Sequence, residues 1–72
     1  MWVYRSPIGK LYIKKMPDGQ YGLYFNGDLC MASKDINAIT NNVYVQSSGC
    51  TEWDCYDGNI DIPSHISEWE KV

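Results

Sequence analysis

The stretch SPIGKLYIKKMPDGQYGLYFNG, residues 6 to 27, contains three hairpin turn signals separated by segments of strand length. Ser6-Pro7-Ile8-Gly9 and Met16-Pro17-Asp18-Gly19 share one pattern, with Pro at the second turn position and Gly where a three-residue loop needs a left-handed residue. Asn26-Gly27 is the preferred two-residue type I′ turn. The three turns predict a four-stranded antiparallel meander, with strands near 2 to 6, 10 to 16, 20 to 25 and 28 to 32.

These loop lengths also predict a register, which sorts the strand side chains onto two faces. With 7 to 9 and 17 to 19 as three-residue loops, Ile13 lies opposite both Val3 and Leu23, and the Asn-Gly turn places Cys30 opposite Leu23. The predicted core row is Val3, Ile13, Leu23 and Cys30, flanked by Leu11 and Phe25. The opposite face is rich in aromatic residues and has Trp2, Tyr4, Tyr12, Lys14, Gly22, Tyr24, Leu29 and Met31.

A helix is expected after the meander. Ser33 is suited to cap it, the helical stripe is Ile36, Ile39 and Val43, and Gly49 is suited to a left-handed exit. For the rest of the chain we expect a loop, a short strand near 59 to 62 and one helical turn that Ser64 caps and that ends at Trp69, with Trp53 and Trp69 anchored to the sheet. The predicted fold is α+β: a single domain, 1 to 72, with a four-stranded antiparallel meander, one helix packed on one face and an irregular C-terminal segment.

Length and charge narrow the classes of function. In a chain of 72 residues, apolar burial and conformational entropy nearly cancel, so a partner or a second copy would add stability. The net charge of −3 is the sum of +2 over residues 1 to 36 and −5 over residues 37 to 72, which argues against wrapping duplex DNA. No apolar run approaches the roughly 20 residues of a membrane span, and the first residues lack the order of a signal peptide. We therefore expect a cytoplasmic protein without membrane contact.

The cysteine count supports the same compartment. Three cysteines, an odd number, predict free thiols in a reducing environment. A zinc site built from Cys30, Cys50, Cys55 and His65 is a weaker alternative because a second closely spaced ligand pair is missing. A Cys50–Cys55 disulfide is another. The sequence thus predicts no metal and no cofactor.

Catalytic signatures are missing as well. Glu52, Asp54, Asp57 and Asp61 do not have the order or spacing of a calcium loop. The chain contains no phosphate-binding glycine loop, nucleophile elbow or HExxH sequence. We expect the protein not to be an enzyme.

The aromatic face is the candidate site, because a bare patch of this size would exceed what monomers usually expose. Either the C-terminal segment covers it through Trp53, Tyr56 and Trp69, or it binds a partner. Tyr and Trp beside Lys are typical of protein interfaces, so a protein partner or a second copy is expected first. A platform for single-stranded nucleic acid is the alternative. The partner-binding residues predicted are Trp2, Tyr4, Tyr12, Lys14, Tyr24 and Met31.

Two resemblances add to these expectations. SPIGKLYI, residues 6 to 13, followed by YGLYF, residues 21 to 25, resembles the opening hairpins of the O6-alkylguanine DNA methyltransferases, but the Pro-Cys-His-Arg motif of that family's activity is absent. GCTEWD, residues 49 to 54, and SEW, residues 67 to 69, resemble short uncharacterised proteins of phages and mobile elements of anaerobic bacteria. That second resemblance implies a non-catalytic interaction module that inhibits a host protein, including defence enzymes.

Overall fold

The chain has the predicted α+β architecture, seen in a computed structural model that describes residues 1 to 58 and 62 to 72. An antiparallel sheet in the order β4-β3-β2-β1-β5 is covered on one side by the main helix, α1. The elements are β1 (Trp2–Ser6), β2 (Gly9–Lys15), β3 (Tyr21–Phe25), β4 (Asp28–Ser33), α1 (Ile36–Tyr44), α2 (Thr51–Asp54), a 3₁₀ turn (Ile66–Glu68) and β5 (Glu70–Lys71). The prediction missed β5, and most of the strand predicted near 59 to 62 lies outside the described residues.

The second and third turns form as predicted. Gly19 has a φ of +90°, and the Met16 N–H donates to the Gln20 carbonyl at 2.7 Å across the three-residue loop. Asn26 and Gly27 have φ values of +52° and +88°, as a type I′ turn requires. These turns confirm the predicted pairs across β2, β3 and β4, namely Leu11 with Phe25, Ile13 with Leu23, and Tyr24 with both Tyr12 and Leu29.

The register predicted between β1 and β2 is wrong by one residue. Ser6 pairs with Gly9, so the connection is a two-residue loop, and Val3 lies opposite Tyr12 instead of Ile13. The Ser6 hydroxyl donates to the Gly9 carbonyl and accepts from the Ile8 N–H, which closes the tighter loop. Because strand side chains alternate, the shift moves every β1 side chain to the face opposite to the predicted one.

A second correction concerns Cys30. The β3–β4 register shifts between Leu23 and Tyr24, so that Leu23 lies opposite Met31 and Tyr24 opposite Leu29. Cys30 is therefore the extra residue of a β-bulge, not the partner of Leu23.

Helix α1 begins and ends at residues other than those predicted. The Asp35 carboxylate caps it by accepting from the Asn37 N–H at 3.0 Å, whereas the Ser33 hydroxyl accepts from the Asp35 N–H in the preceding turn. The left-handed exit residue is Gln46, with a φ of +56°, instead of Gly49. The predicted stripe is correct, since Ile39 and Val43 are fully buried against the sheet.

The C-terminal segment completes the core, as its aromatic residues predict. Trp53 and Trp69 are buried and pack on the strands with the other core residues, which are Leu11, Ile13, Leu23, Phe25, Ile39, Val43 and Cys50. The predicted helical turn is present, but His65 caps it instead of Ser64. Thr51–Asp54, predicted as part of a loop, form the short helix α2 instead. Within the described part of the chain, no helix has the length and apolarity needed to cross a bilayer.

Candidate interaction face

The side of the sheet opposite the helices, here called the open face, has one cross-strand row through all five strands. Residues paired directly across an antiparallel sheet point to the same side. The row of paired residues is Glu70, Val3, Tyr12, Tyr24 and Leu29. Arg5 and Lys10 lie on one side of this row, and Lys14, Gly22 and Ala32 lie on the other.

The open face contains only half of the predicted site. Tyr12, Lys14 and Tyr24 lie on it, but the corrected registers place Trp2, Tyr4 and Met31 on the core side. The prediction that these six residues share one face is therefore wrong.

The C-terminal segment contacts Tyr4 and Trp2, two of the core-side residues of the predicted site, in line with the alternative considered for the whole face. The Tyr4 ring lies 5.7 Å from the Trp53 ring and 5.8 Å from the Trp69 ring. Trp2 and Met31 also pack against the core. These side chains belong to the interior packing of the domain.

Two tyrosines and a lysine form a pocket on the open face. Its volume is about 360 Å³, and its lining consists of Met1, Tyr12, Lys14, Tyr24 and Gly27. The Lys14 ammonium lies 4.4 Å from the centroid of the Tyr24 ring, a cation–π arrangement. The pocket thus combines ring surface with a positive charge.

Beside this pocket, Gly22 allows three apolar side chains to come together. A Cβ on Gly22 would lie 2.9 Å from the Met16 sulfur, 3.0 Å from the Tyr24 ring and 3.1 Å from a Leu29 methyl. Leu29 is 52% exposed, whereas Gly22 beneath these side chains is buried. Met16 ends the second predicted strand and, by strand alternation, shares a side with Tyr12 and Lys14, but the predicted site did not include it.

The open face has a positive charge although the chain is acidic. Its charged residues are Arg5, Lys10, Lys14 and Glu70. Arg5 and Glu70 form a salt bridge at 3.0 Å, and their side chains are more than half exposed. Among the described residues, neither Lys10 nor Lys14 forms a salt bridge. Three positive charges and one negative charge give the face +2, against −3 for the whole chain.

The prediction of three free thiols is wrong. Cys30 and Cys50 form a disulfide with a Cα–Cα distance of 5.2 Å, and only Cys55 is a free, exposed thiol. The bulge at Cys30 and the burial of Cys50 bring together two residues separated by 20 positions, which spacing alone does not reveal.

The structure also tests the two alternative roles of the cysteines, a Cys50–Cys55 disulfide and a zinc site. Cys50 and Cys55 cap opposite ends of α2, about 7.5 Å apart along its axis, which is too far for a disulfide between them. The described residues contain no group of three or more His, Cys, Asp or Glu side chains placed to hold a metal ion. The cytoplasmic location stays a prediction, but it can no longer rest on unpaired cysteines.

The loop before α2 is held by its own polar side chains. One Asp54 carboxylate oxygen accepts from the Ser48 N–H and hydroxyl, and the other accepts from the Gly49 N–H at 3.0 Å. The Gln46 amide donates to the carbonyls of Trp53 and Tyr56. The Asp54 carboxylate, considered above as part of a calcium loop, thus accepts hydrogen bonds from Ser48 and Gly49.

No protein-family model, curated protein or solved structure matches this chain. The interpretation of the open face therefore depends on the geometry described above.

Proposed function

We propose that the protein is a non-catalytic interaction module that binds another protein through the open face. The observation that supports this most is the surface around Leu29, which is 52% exposed, and the half-buried Tyr12 and Tyr24, on the side of the sheet away from the helices. These three side chains lie outside the core cluster, and the aromatic residues that pack there include Trp53, Trp69 and Tyr4. Tyrosines beside apolar side chains dominate the binding energy of many protein interfaces.

We extend the proposal to inhibition of a host protein in the cytoplasm, defence enzymes included. This extension rests on the resemblance of GCTEWD and SEW to short proteins of phages and mobile elements. A small rigid domain can block a larger enzyme by occupying its surface, which requires no catalytic group of its own.

The test removes an aromatic ring from the centre of the open face. Tyr12→Ala is expected to weaken capture of the partner from the source cells by roughly thirtyfold, which corresponds to about 2 kcal/mol at a hot spot. Tyr44→Ala is the matched control, because Tyr44 is 49% exposed on α1, away from the open face. Sedimentation of each variant alone shows whether the partner is instead a second copy.

Thermal melts separate binding from folding. If Tyr12→Ala lowers the melting temperature but leaves partner capture and sedimentation unchanged, the open face serves only the fold and the proposal fails. Equal loss of capture in Tyr12→Ala and Tyr44→Ala would also refute it, because the effect would not be specific to the face.

Single-stranded nucleic acid is the second candidate, favoured by the positive charge of the open face. Tyr12 and Tyr24 could stack on bases while Arg5, Lys10 and Lys14 contact phosphates. However, the Lys14 ammonium occupies one face of the Tyr24 ring. Salt titration distinguishes the two candidates, since nucleic-acid affinity falls steeply with added salt.

A further inference from the structure

Three residues of β2 on the open face follow one another at a fixed spacing. Lys10, Tyr12 and Lys14 are alternate residues of the strand, so their side chains point to the same side. At about 3.3 Å per residue, the backbone positions of the two lysines are about 13 Å apart, with Tyr12 midway. The strand thus presents positive charge, ring and positive charge in a line.

Both lysines are exposed, although the Lys14 ammonium also contacts the Tyr24 ring. Among the described residues, neither lysine forms a salt bridge. The single acidic residue of the open-face row, Glu70, pairs with Arg5. Lys14 also borders the pocket of about 360 Å³ that contains Tyr12 and Tyr24.

We propose that the open face binds an extended, acidic segment of its protein partner. The segment has acidic residues at its first and fifth positions, which pair with Lys10 and Lys14, and an apolar side chain at its third position, which enters the pocket beside Tyr12. An extended peptide has the same rise per residue as β2, so positions one and five match the spacing of the lysines. This inference rests on the proposed function and names the chemistry of the partner.

Charge favours such a short segment over a nucleic acid. Two lysines without a salt bridge among the described residues match two carboxylates, whereas a polyanion that extends beyond the face would meet a chain whose residues 37 to 72 sum to −5. The apolar part of the pocket, with Met1 and two tyrosine rings, suits an aromatic or aliphatic side chain.

The experiment titrates the intact protein with short peptides and follows its backbone amide signals by NMR. The probe is acetyl-Glu-Ser-Phe-Ser-Glu-amide, and the control peptide is acetyl-Lys-Ser-Phe-Ser-Lys-amide. We expect saturable shifts at open-face residues with the acidic probe only. No saturation at a few millimolar, or equal binding of the lysine peptide, would overturn the inference.

Two double variants with the same net charge test the lysines. The double variant Lys10→Gln/Lys14→Gln is expected to have a lower affinity for the acidic probe, by up to about fivefold for each exposed ion pair lost. Lys15→Gln with Lys34→Gln is the matched control, because Lys15 points to the other side of β2 and Lys34 follows β4. Equal weakening in both would attribute the effect to net charge and refute the proposed pairing.

A ten-nucleotide thymidine strand serves as the third probe. Tighter binding of this strand than of the acidic peptide, with steep salt dependence, would replace the inference with nucleic-acid binding. Partner capture that requires Tyr12 but is unchanged in the Lys10/Lys14 variant would refute the acidic segment and leave the proposed function intact.

Discussion

Removal of the Cys30–Cys50 disulfide should cost the domain a large part of its stability. The cross-link joins residues 20 positions apart, and the chain-entropy relation gives about 3 kcal/mol for a loop of that size. At about 0.05 to 0.15 kcal/mol per residue, a 72-residue domain has a total stability of about 4 to 11 kcal/mol. The loss should lower the melting temperature by about 12 to 24 °C, since each 1 kcal/mol shifts it by about 4 to 8 °C.

The measurement compares the double variant Cys30→Ala/Cys50→Ala with the wild type and with Cys55→Ala. Cys55 is exposed and unpaired, so its substitution should leave the denaturation midpoint unchanged. A dithiol reductant should lower the wild-type midpoint to that of the double variant and should not affect the double variant. Thiol counting of the unreduced, denatured wild type should give one free thiol per chain.

Three free thiols in the unreduced protein would refute the pairing. A wild-type midpoint that does not respond to full reduction would show instead that the link forms but adds nothing to stability. In a reducing cytoplasm the disulfide should open, so thiol trapping in intact cells would also test the expected location.

Two further substitutions test the loop before α2. Gly49→Ala should destabilise the fold by about 2 kcal/mol or more, because Gly49 has a φ of +86° and an added Cβ would lie 2.8 Å from the Cys30 carbonyl oxygen. Gly27→Ala is the control, because Gly27 has a similar φ of +88° but an added Cβ would meet nothing within 4 Å. This variant should cost only about 1 kcal/mol. Equal denaturation midpoints for the two variants would contradict the close contact at Gly49. Asp54→Ala should cost about 2 to 3 kcal/mol by urea denaturation, because it removes an acceptor of three hydrogen bonds; a loss below about 0.5 kcal/mol would show that water replaces the carboxylate.

The part of the fold that could be predicted is the part determined by local turn chemistry. The type I′ turn at Asn26-Gly27 and the three-residue loop ending at Gly19 each allow few backbone conformations, so they fix the pairing of β2, β3 and β4 near the turns. The spacing of Ile39 and Val43 likewise places one face of α1 on the sheet.

Pairings decided by tertiary contacts could not be predicted in this way. The first loop fits either two or three residues, and the packing of Tyr4 between Trp53 and Trp69 accompanies the shorter one. The bulge at Cys30 accompanies a disulfide to a residue 20 positions away, a contact that no local pattern indicates.

Two register errors, the one-residue shift of β1 and the bulge at Cys30, explain the misplaced half of the candidate site. Tyr12, Lys14 and Tyr24 share one face as predicted, because their strands pair through the well-defined loops. Trp2 and Tyr4 were misplaced because they lie on β1, whose loop is ambiguous. Aromatic composition indicated an exposed surface, but only the register shows which aromatics belong to it.

The bulge at Cys30 has a consequence for aggregation. β4 is an edge strand, and long regular edges recruit strands from other molecules. Here the extra residue interrupts the ladder, and the Gly49 backbone packs against the Cys30 carbonyl. At the opposite edge, β5 is only two residues long. Among the described residues, the sheet therefore offers no long unbroken edge for growth into fibrils, and loss of the disulfide or of Gly49 would weaken this protection at β4.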